Sequence, residues 1–244
     1  MQVELKQGNC LELMKDLKGE SIDMILSDLP YGVTHNKWDT EINLDELWKQ
    51  YKRVIKENGV IALFSGQPFT SKLVMSNLKM FRYEWVFEKG NASGFLNANR
   101  MPLKAHENVL IFYKKLPKYN PQFDKGEPYY RTRSMVGTDN YDFFIPTPTD
   151  GSDGKRYPRD IIRLKGGERG DHPTQKPVIW AEYLIKTYTD VGDTVLDNCM
   201  GSGTTGVACV RTDRNFIGYE LDTDYFLTAQ RRITEAVKGK GMKN

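Results

Sequence analysis

Short, mostly apolar runs mark the strands that we predict in residues 1–115. The run at residues 22–27 ends at a turn signal, which is typical of a strand buried on both faces of a parallel sheet. Further strand candidates lie at residues 3–8, 60–66, 83–90 and 107–115.

Apolar residues at helical spacing separate several of these runs. Residues 43–56 place them on one face of a helix, and we expect Asn58 and Gly59 to end that helix. A second helix is predicted at about residues 68–78. Alternating strands and helices are typical of an α/β fold.

Residues 116–170 show no sustained period. They contain six prolines, ten basic residues against eight acidic ones, and eight interleaved tyrosines and phenylalanines. One interpretation is a long irregular excursion with its own small aromatic core. The other is a module that contacts bases and phosphates, because arginines and aromatic residues are common in DNA contacts. The residues leave both interpretations open.

Residues 171–244 return to an α/β pattern. A helix is predicted after Pro177, and the remaining elements are a strand at 194–200, a helix at 202–212, a strand at 215–221 and a helix at 222–238. We therefore predict a single domain in two halves, 1–115 and 171–244, with an insertion at 116–170.

Composition narrows the class of protein. Of the 244 residues, 39% are hydrophobic and 27% charged, which is ordinary for a globular protein. No apolar run approaches the ~20 residues of a membrane span, and the chain does not start like a signal peptide. The three cysteines form no CxxC pair, so we expect free thiols, no metal and a cytoplasmic setting. The net charge of +3 permits a polyanionic partner without requiring one.

A glycine-rich turn is predicted near the C-terminus. Gly201, Gly203 and Gly206 follow a strand and open a helix with the spacing G-x-G-x-x-G, and Glu220 ends the next strand. Glycines allow the backbone to approach a ligand closely, and the amides at a helix N-terminus bind anionic groups. The Glu220 carboxylate can accept hydrogen bonds from ribose hydroxyls. This pattern fits NAD and S-adenosylmethionine equally, since both carry adenosine.

The position of that turn indicates a permuted fold. Fewer than about forty residues follow Gly206, so most of the sheet must come from earlier in the chain.

A second motif follows the predicted strand at 22–27. Asp28 lies where open α/β sheets bind ligands, and Pro30 biases Leu29 toward an extended conformation that directs its carbonyl. The Asp28 carboxylate and the Leu29 carbonyl could hold the two N–H groups of an exocyclic amine, while Tyr31 stacks on an extruded base. An ordinary Asp-Pro turn with a core tyrosine is the alternative.

Three motifs together resemble the β-class amino-methyltransferases that act on DNA adenine N6 or cytosine N4. Residues 28–31 are similar to the catalytic motif D/N/S-P-P-Y/F, and residues 197–205 to the cofactor motif D-P-F-x-G-S-G-T-T. Residues 172–177, HPTQKP, match the motif that precedes the cofactor motif in this class. The order of the motifs also agrees, and the resemblance covers nearly the whole chain outside 116–170, where such enzymes keep their target-recognition region. It implies that 1–115 is the catalytic half of the domain and 171–244 the cofactor-binding half.

The resemblance implies a permuted Rossmann-like methyltransferase fold with a seven-stranded, mostly parallel sheet and flanking helices. It assigns the target base to Asp28, Leu29, Pro30 and Tyr31. The S-adenosylmethionine site that it implies comprises Asn9, Cys10, Asp28, Thr174, Lys176, Asp197, Asn198, Gly201, Gly203, Thr204, Thr205 and Glu220. Within that set, Asn9 and Cys10 would contact the cofactor adenine and Glu220 the ribose.

The chain departs from the family pattern at four positions. Leu29 replaces a proline, which preserves the backbone carbonyl, and Asn198 and Cys199 replace proline and phenylalanine. Asn9 stands where the family often has aspartate, and its amide oxygen can still accept a hydrogen bond.

The leading hypothesis is therefore a sequence-specific methyltransferase acting on adenine N6 in double-stranded DNA, because aspartate at position 28 favours adenine in this family. Cytosine-N4 methylation is the first alternative. An NAD-dependent oxidoreductase and an inactive DNA-binding module are the others. The resemblance is compatible with a homodimer and with a separate restriction endonuclease partner, and it implies no membrane association.

Overall fold

The structure is a computed structural model that describes residues 1–30, 42–129, 153–164 and 176–241. The chain divides into a larger unit, Met1–Asn120 with Asp160–Asn244, and a smaller unit, Pro121–Arg159.

Ten strands lie within the described residues. They are β1 (Val3–Gln7), β2 (Ile22–Asp28), β3 (Ile55–Ser65), β4 (Phe81–Ser93), β5 (Lys104–Phe112), β6 (Asp124–Lys125), β7 (Lys155–Arg156), β8 (Ile161–Ile162), β9 (Thr194–Asp197) and β10 (Asn215–Glu220). The α-helices are α1 (Cys10–Leu13), α2 (Leu44–Val54), α3 (Phe69–Ser76), α4 (Val178–Tyr188), α5 (Thr204–Arg211) and α6 (Thr223–Gly241).

Eight of these strands form the sheet of the larger unit, in the order β1-β10-β9-β2-β3-β5-β4-β8. The first five run parallel to one another, β5 is antiparallel to both β3 and β4, and β8 pairs parallel with β4. The C-terminal strands β9 and β10 lie between β1 and β2, so the permuted α/β fold is confirmed. The two-residue β8 is an addition to the seven predicted strands.

Helices cover both faces of this sheet. Met24 and Leu26 of β2 belong to the core formed with α4, α5 and α6, whereas Ile25 belongs to the core formed with α1, α2 and α3. Because successive side chains of a strand point to opposite faces, a strand in this position must be apolar almost throughout. This explains the continuous apolar run in the sequence.

The predicted end of the first long helix is wrong. Helix α2 ends at Val54, and β3 begins at Ile55, which pairs with Ile22. A Cβ atom on Gly59 would lie 2.8 Å from the Ile55 side chain and 2.9 Å from the Asp23 carbonyl oxygen. Gly59 therefore permits close packing at the shifted register of β2 and β3 instead of ending a helix.

The smaller unit contains residues 121–129 and 153–159 of the predicted insertion 116–170, whereas 116–120 and 160–164 belong to the larger unit. Strands β6 and β7 pair antiparallel, and the rings of Phe123 and Tyr157 lie 5.0 Å apart. The guanidinium of Arg156 lies 4.7 Å from the centre of the Tyr129 ring. These contacts give the unit a small aromatic cluster of its own, while residues 130–152 lie outside the described residues.

Across the described ranges, no helix combines the length and the apolar character needed to cross a membrane.

Candidate active site

The carboxyl ends of four parallel strands meet at one edge of the sheet. Asp28 ends β2, Asp197 ends β9, Glu220 ends β10, and Asn9 and Cys10 follow β1. This is the edge at which open α/β sheets bind ligands. Residues from both ends of the chain are thereby brought to one place.

Asp197 joins the two motifs through hydrogen bonds. Its carboxylate accepts from the Ser27 hydroxyl at 2.8 Å and from the Cys199 backbone N–H at 3.1 Å, and it is also bonded by the Thr205 side chain. Asp197 is 3% exposed, and this burial raises the pKa of its carboxyl to about 7 despite those donors. The carboxyl can therefore change its charge near neutral pH.

The glycine turn has the geometry that a ligand-binding turn needs. Gly201 and Gly203 have left-handed backbone angles, with φ of +51° and +79°. A Cβ on Gly203 would lie 2.9 Å from the Ala229 Cβ of α6, and one on Gly206 would lie 2.4 Å from Ile233 Cδ1. At Gly201, in contrast, a Cβ would meet no atom of the described residues within 4 Å, apart from its own chain neighbours. Gly203 and Gly206 thus serve helix packing, whereas Gly201 leaves its surroundings open to a ligand.

Glu220 holds this turn from the neighbouring strand. Its carboxylate accepts from the Gly201 N–H at 2.8 Å and from the Asp222 N–H at 2.9 Å. Burial raises its pKa above the ordinary value. Each carboxylate oxygen has a second lone pair, so Glu220 can also accept hydrogen bonds from ribose hydroxyls.

Asn9 and Cys10 lie beside Glu220 at the end of β1. The Gly8 N–H donates to the Glu220 carbonyl at 2.9 Å, and the Asn9 side-chain oxygen caps α1 by accepting from the Leu11 N–H at 2.9 Å. The Cys10 thiol is hydrogen-bonded with Cys199, which lowers the pKa of Cys10 to about 7 and raises that of Cys199 well above its ordinary value. Cys10 and Cys199 are 189 positions apart in the chain, so no spacing pattern predicts this thiol pair.

Asn198 is a buried link between the cofactor motif and α2. Its side-chain oxygen accepts from the Tyr51 hydroxyl at 2.5 Å, and burial raises the pKa of Tyr51 well above its usual range. Tyr51 belongs to the apolar face of the helix predicted at residues 43–56. The spacing of apolar residues predicts that face but not the partner of the Tyr51 hydroxyl.

The Asp28 carboxylate pairs with Lys176. The Lys176 Nζ lies 2.9 Å from Asp28 Oδ2 and 3.9 Å from Glu107 Oε2, and Lys89 forms an ion pair with the other Glu107 oxygen. Burial alone would raise the pKa of Glu107, but the ammonium groups of Lys176 and Lys89 outweigh it and lower that pKa. Likewise, Asp28 and Glu107 raise the pKa of Lys176 against the effect of burial. Lys176 therefore stays charged and holds Asp28.

The structure thus places most of the predicted residues at this edge. Leu29 is buried and Pro30 half-buried after β2, while Thr204 and Thr205 begin α5 next to the glycine turn. Tyr31 and Thr174 lie outside the described residues. Sequence reasoning assigned no site role to Ser27, Tyr51 or Glu107, because their contributions depend on partners far away in the chain.

Comparison with known proteins gives a consistent picture. A family model described as DNA methylase, for N6 and N4 methyltransferases, matches residues 22–231. The chain is 26% identical over 258 residues to the type II methyltransferase M.HpaI of Haemophilus parainfluenzae, covering 98% of this chain and 76% of that protein. It is 25% identical over 244 residues to the DNA adenine methyltransferase YhdJ of Escherichia coli K12, covering 94% and 82%.

Solved structures share the fold. The crystal structure of the M1.HpyAVI–SAM complex has a TM-score of 0.64 at 25% identity, with 95% of this chain and 100% of that chain covered. The cytosine-N4-specific PvuII DNA methyltransferase has a TM-score of 0.70 at 16% identity, with 98% and 92% covered, and this likeness concerns the fold alone.

Proposed function

Because the chain belongs to the N6/N4 DNA methylase family, we propose that it methylates adenine N6 in double-stranded DNA, with S-adenosylmethionine as the methyl donor. The observation that carries this proposal is the convergence of Asp28, Asp197, Gly201 and Glu220 on one edge of the sheet. The family match favours S-adenosylmethionine over NAD, which the glycine spacing alone left open.

The choice of adenine over cytosine rests on two observations. Asp28 occupies the first position of the catalytic motif, where aspartate favours adenine, and the relative YhdJ is named as an adenine methyltransferase. Cytosine-N4 methylation remains the second candidate, because the PvuII enzyme with the same fold is named as cytosine-N4-specific.

We assign the activation of the amine to Asp28 and the Leu29 carbonyl. Two acceptors can each hold one N–H of the target amine and direct its nitrogen lone pair toward the methyl donor. When bound, S-adenosylmethionine would supply an electrophilic methyl group on a positive sulfur, and transfer of that methyl to the amine nitrogen would leave a neutral thioether. The proton that the nitrogen then loses would leave through the Asp28 carboxylate, which already accepts that N–H, to water. The ion pair with Lys176 at 2.9 Å supports this role, since it fixes one carboxylate oxygen of Asp28.

Incubation with unmethylated bacterial DNA and methyl-labelled S-adenosylmethionine tests the proposal. After digestion to nucleosides, we expect the label in N6-methyladenine. Label in N4-methylcytosine would show that the substrate is cytosine instead of adenine, while methyl transfer to an exocyclic amine would still hold. Cofactor binding by calorimetry without label in either nucleoside would contradict the proposed activity.

Cofactor affinity is expected to rise between pH 6 and pH 8. Since the pKa of Asp197 is raised to about 7, binding of a positively charged cofactor below that pH must release a proton from this carboxyl. We expect affinity to increase about three- to tenfold over this range. The same raised pKa stabilises the free protein at acid pH, and this contribution is lost as pH rises from about 4 to about 7.

Calorimetric titrations in buffers of different ionisation enthalpy measure the released proton. Asp197→Asn should remove the pH dependence of binding. Cys10→Ser is the necessary comparison, because the pKa of Cys10 is also about 7. If Cys10→Ser removes the dependence and Asp197→Asn does not, the proton comes from the thiol.

A further inference from the structure

The turn between β4 and β5 exposes large apolar side chains. In residues 94–103, which we name the hairpin tip, Leu96 is fully exposed at 102%, Phe95 is 69% exposed and Met101 is 57% exposed. Exposed apolar groups that cluster in this way often mark an interaction surface.

The backbone of the hairpin tip is a defined turn. Gly94 has a left-handed φ of +93°, and a short 3-10 helix, Phe95–Asn97, follows it. The Asn97 carbonyl accepts from the Arg100 N–H at 2.8 Å and from the Met101 N–H at 3.0 Å. Leu96 is therefore presented to solvent by an internally hydrogen-bonded turn.

The polar residues around this tip suit a polyanion. Residues 89–106 contain no aspartate or glutamate. Lys89 is paired with Glu107, but the segment also includes Arg100 and Lys104 and the amides of Asn91, Asn97 and Asn99. Cationic and amide side chains are the usual donors to DNA phosphates and base edges. Charge and chemistry thus favour DNA over a protein partner.

The pairing register places the tip beyond the edge that carries Asp28. Asp28 pairs with Phe64, and Phe64 pairs with Val109 of β5. From Val109, β5 extends five residues further toward the tip, to Lys104, which is about 17 Å of strand. Since β3 alone lies between β2 and β5 in the sheet, the lateral separation between β2 and β5 is about 10 Å. A duplex that delivers a base to Asp28 must lie outside this same edge.

From these observations we propose that the hairpin tip contacts the duplex and that Leu96 enters the base stack where the target base is extruded, with Arg100 on a phosphate. This inference rests on the proposed function. Apolar side chains that enter a base step lower the free-energy cost of unstacking the bases. Cationic side chains beside them bind the phosphates of the DNA backbone. In the sequence, the hairpin tip lies outside 116–170, the segment in which the family resemblance implies target recognition.

Leu96→Ala tests the inference on two forms of the mapped target site. With a normally paired target base, we expect kcat/KM to fall about tenfold or more, since the apolar side chain offsets part of the cost of unstacking a paired base. With a mispaired target base, the loss should shrink to about twofold, because that base is already loosely held. Leu78→Ala is the matched control, since Leu78 is 58% exposed outside the hairpin and should behave as wild type on both DNAs.

Other outcomes separate this inference from the proposed function. Equal losses on paired and mispaired DNA, or no loss on either, would overturn the role of Leu96 while the wild-type activity stands. If light scattering shows that Leu96→Ala changes the oligomeric state while methylation is unchanged, the hairpin tip forms a contact between two copies of the chain. That result would also overturn the proposed role of Leu96. An inactive wild type would instead contradict the proposed function.

Discussion

Asp28→Ala is expected to lower the rate of methyl transfer by about a thousandfold or more, with S-adenosylmethionine affinity changed by less than about twofold. The substitution removes the acceptor that orients the target amine and leaves the Lys176 ammonium, which lies 2.9 Å from Asp28 Oδ2, without that partner. Positioning and electrostatic stabilisation are the main contributions to such a transfer, so loss of the carboxylate should affect the chemical step most.

Single-turnover methylation and calorimetric titration of the cofactor separate these two effects. Asp28→Asn should fall between wild type and Asp28→Ala, because the amide keeps one acceptor oxygen but loses the charge. Asp16→Ala, an exposed aspartate at the end of the 3-10 helix after α1, serves as a control with no expected change. An Asp28→Ala variant with near-normal transfer would refute the assigned role.

Gly201→Ala is expected to weaken S-adenosylmethionine binding by about tenfold or more, at a stability cost of only about 1–2 kcal/mol. The left-handed backbone at φ +51° accounts for that cost, and within the described ranges no atom beyond the neighbouring residues lies within 4 Å of the added methyl. The methyl group would instead occupy space that the turn leaves open to a ligand. Its effect should therefore appear mainly in binding.

Gly203→Ala should show the opposite balance. Here the added Cβ lies 2.9 Å from the Ala229 Cβ and 3.0 Å from its Cα, so α6 must move, and we expect about 2–4 kcal/mol of destabilisation. Gly192→Ala is the control for both, because Gly192 has φ +87° and open space in the turn before β9. Denaturant unfolding and cofactor titration of the three variants measure the two effects. Equal binding losses for Gly201→Ala and Gly192→Ala would contradict the role of Gly201.

Local pattern predicted the elements of the larger unit better than their ends. The apolar run at 22–27 and the helical spacing at 43–56 correspond to β2 and α2. The end of α2 was mispredicted because Asn58 and Gly59 carry a turn signal, whereas the actual reason for the glycine is the approach of Asp23 and Ile55. A close approach between neighbouring strands has no counterpart in local sequence.

The fold class and the residues of the two motifs could be predicted from the sequence, because apolar periodicity and glycine spacing are local properties of a chain. The contacts of those residues depend on the three-dimensional packing of the chain. The Ser27 hydroxyl donates to Asp197 across 170 positions, and Lys176 pairs with Asp28 from the far half of the chain. Burial, which raises the pKa of Asp197 to about 7, is likewise a property of the packed sheet and its helices. Such contacts arise when parallel strands distant in sequence end at one edge, and their energies depend on distances that no local pattern encodes.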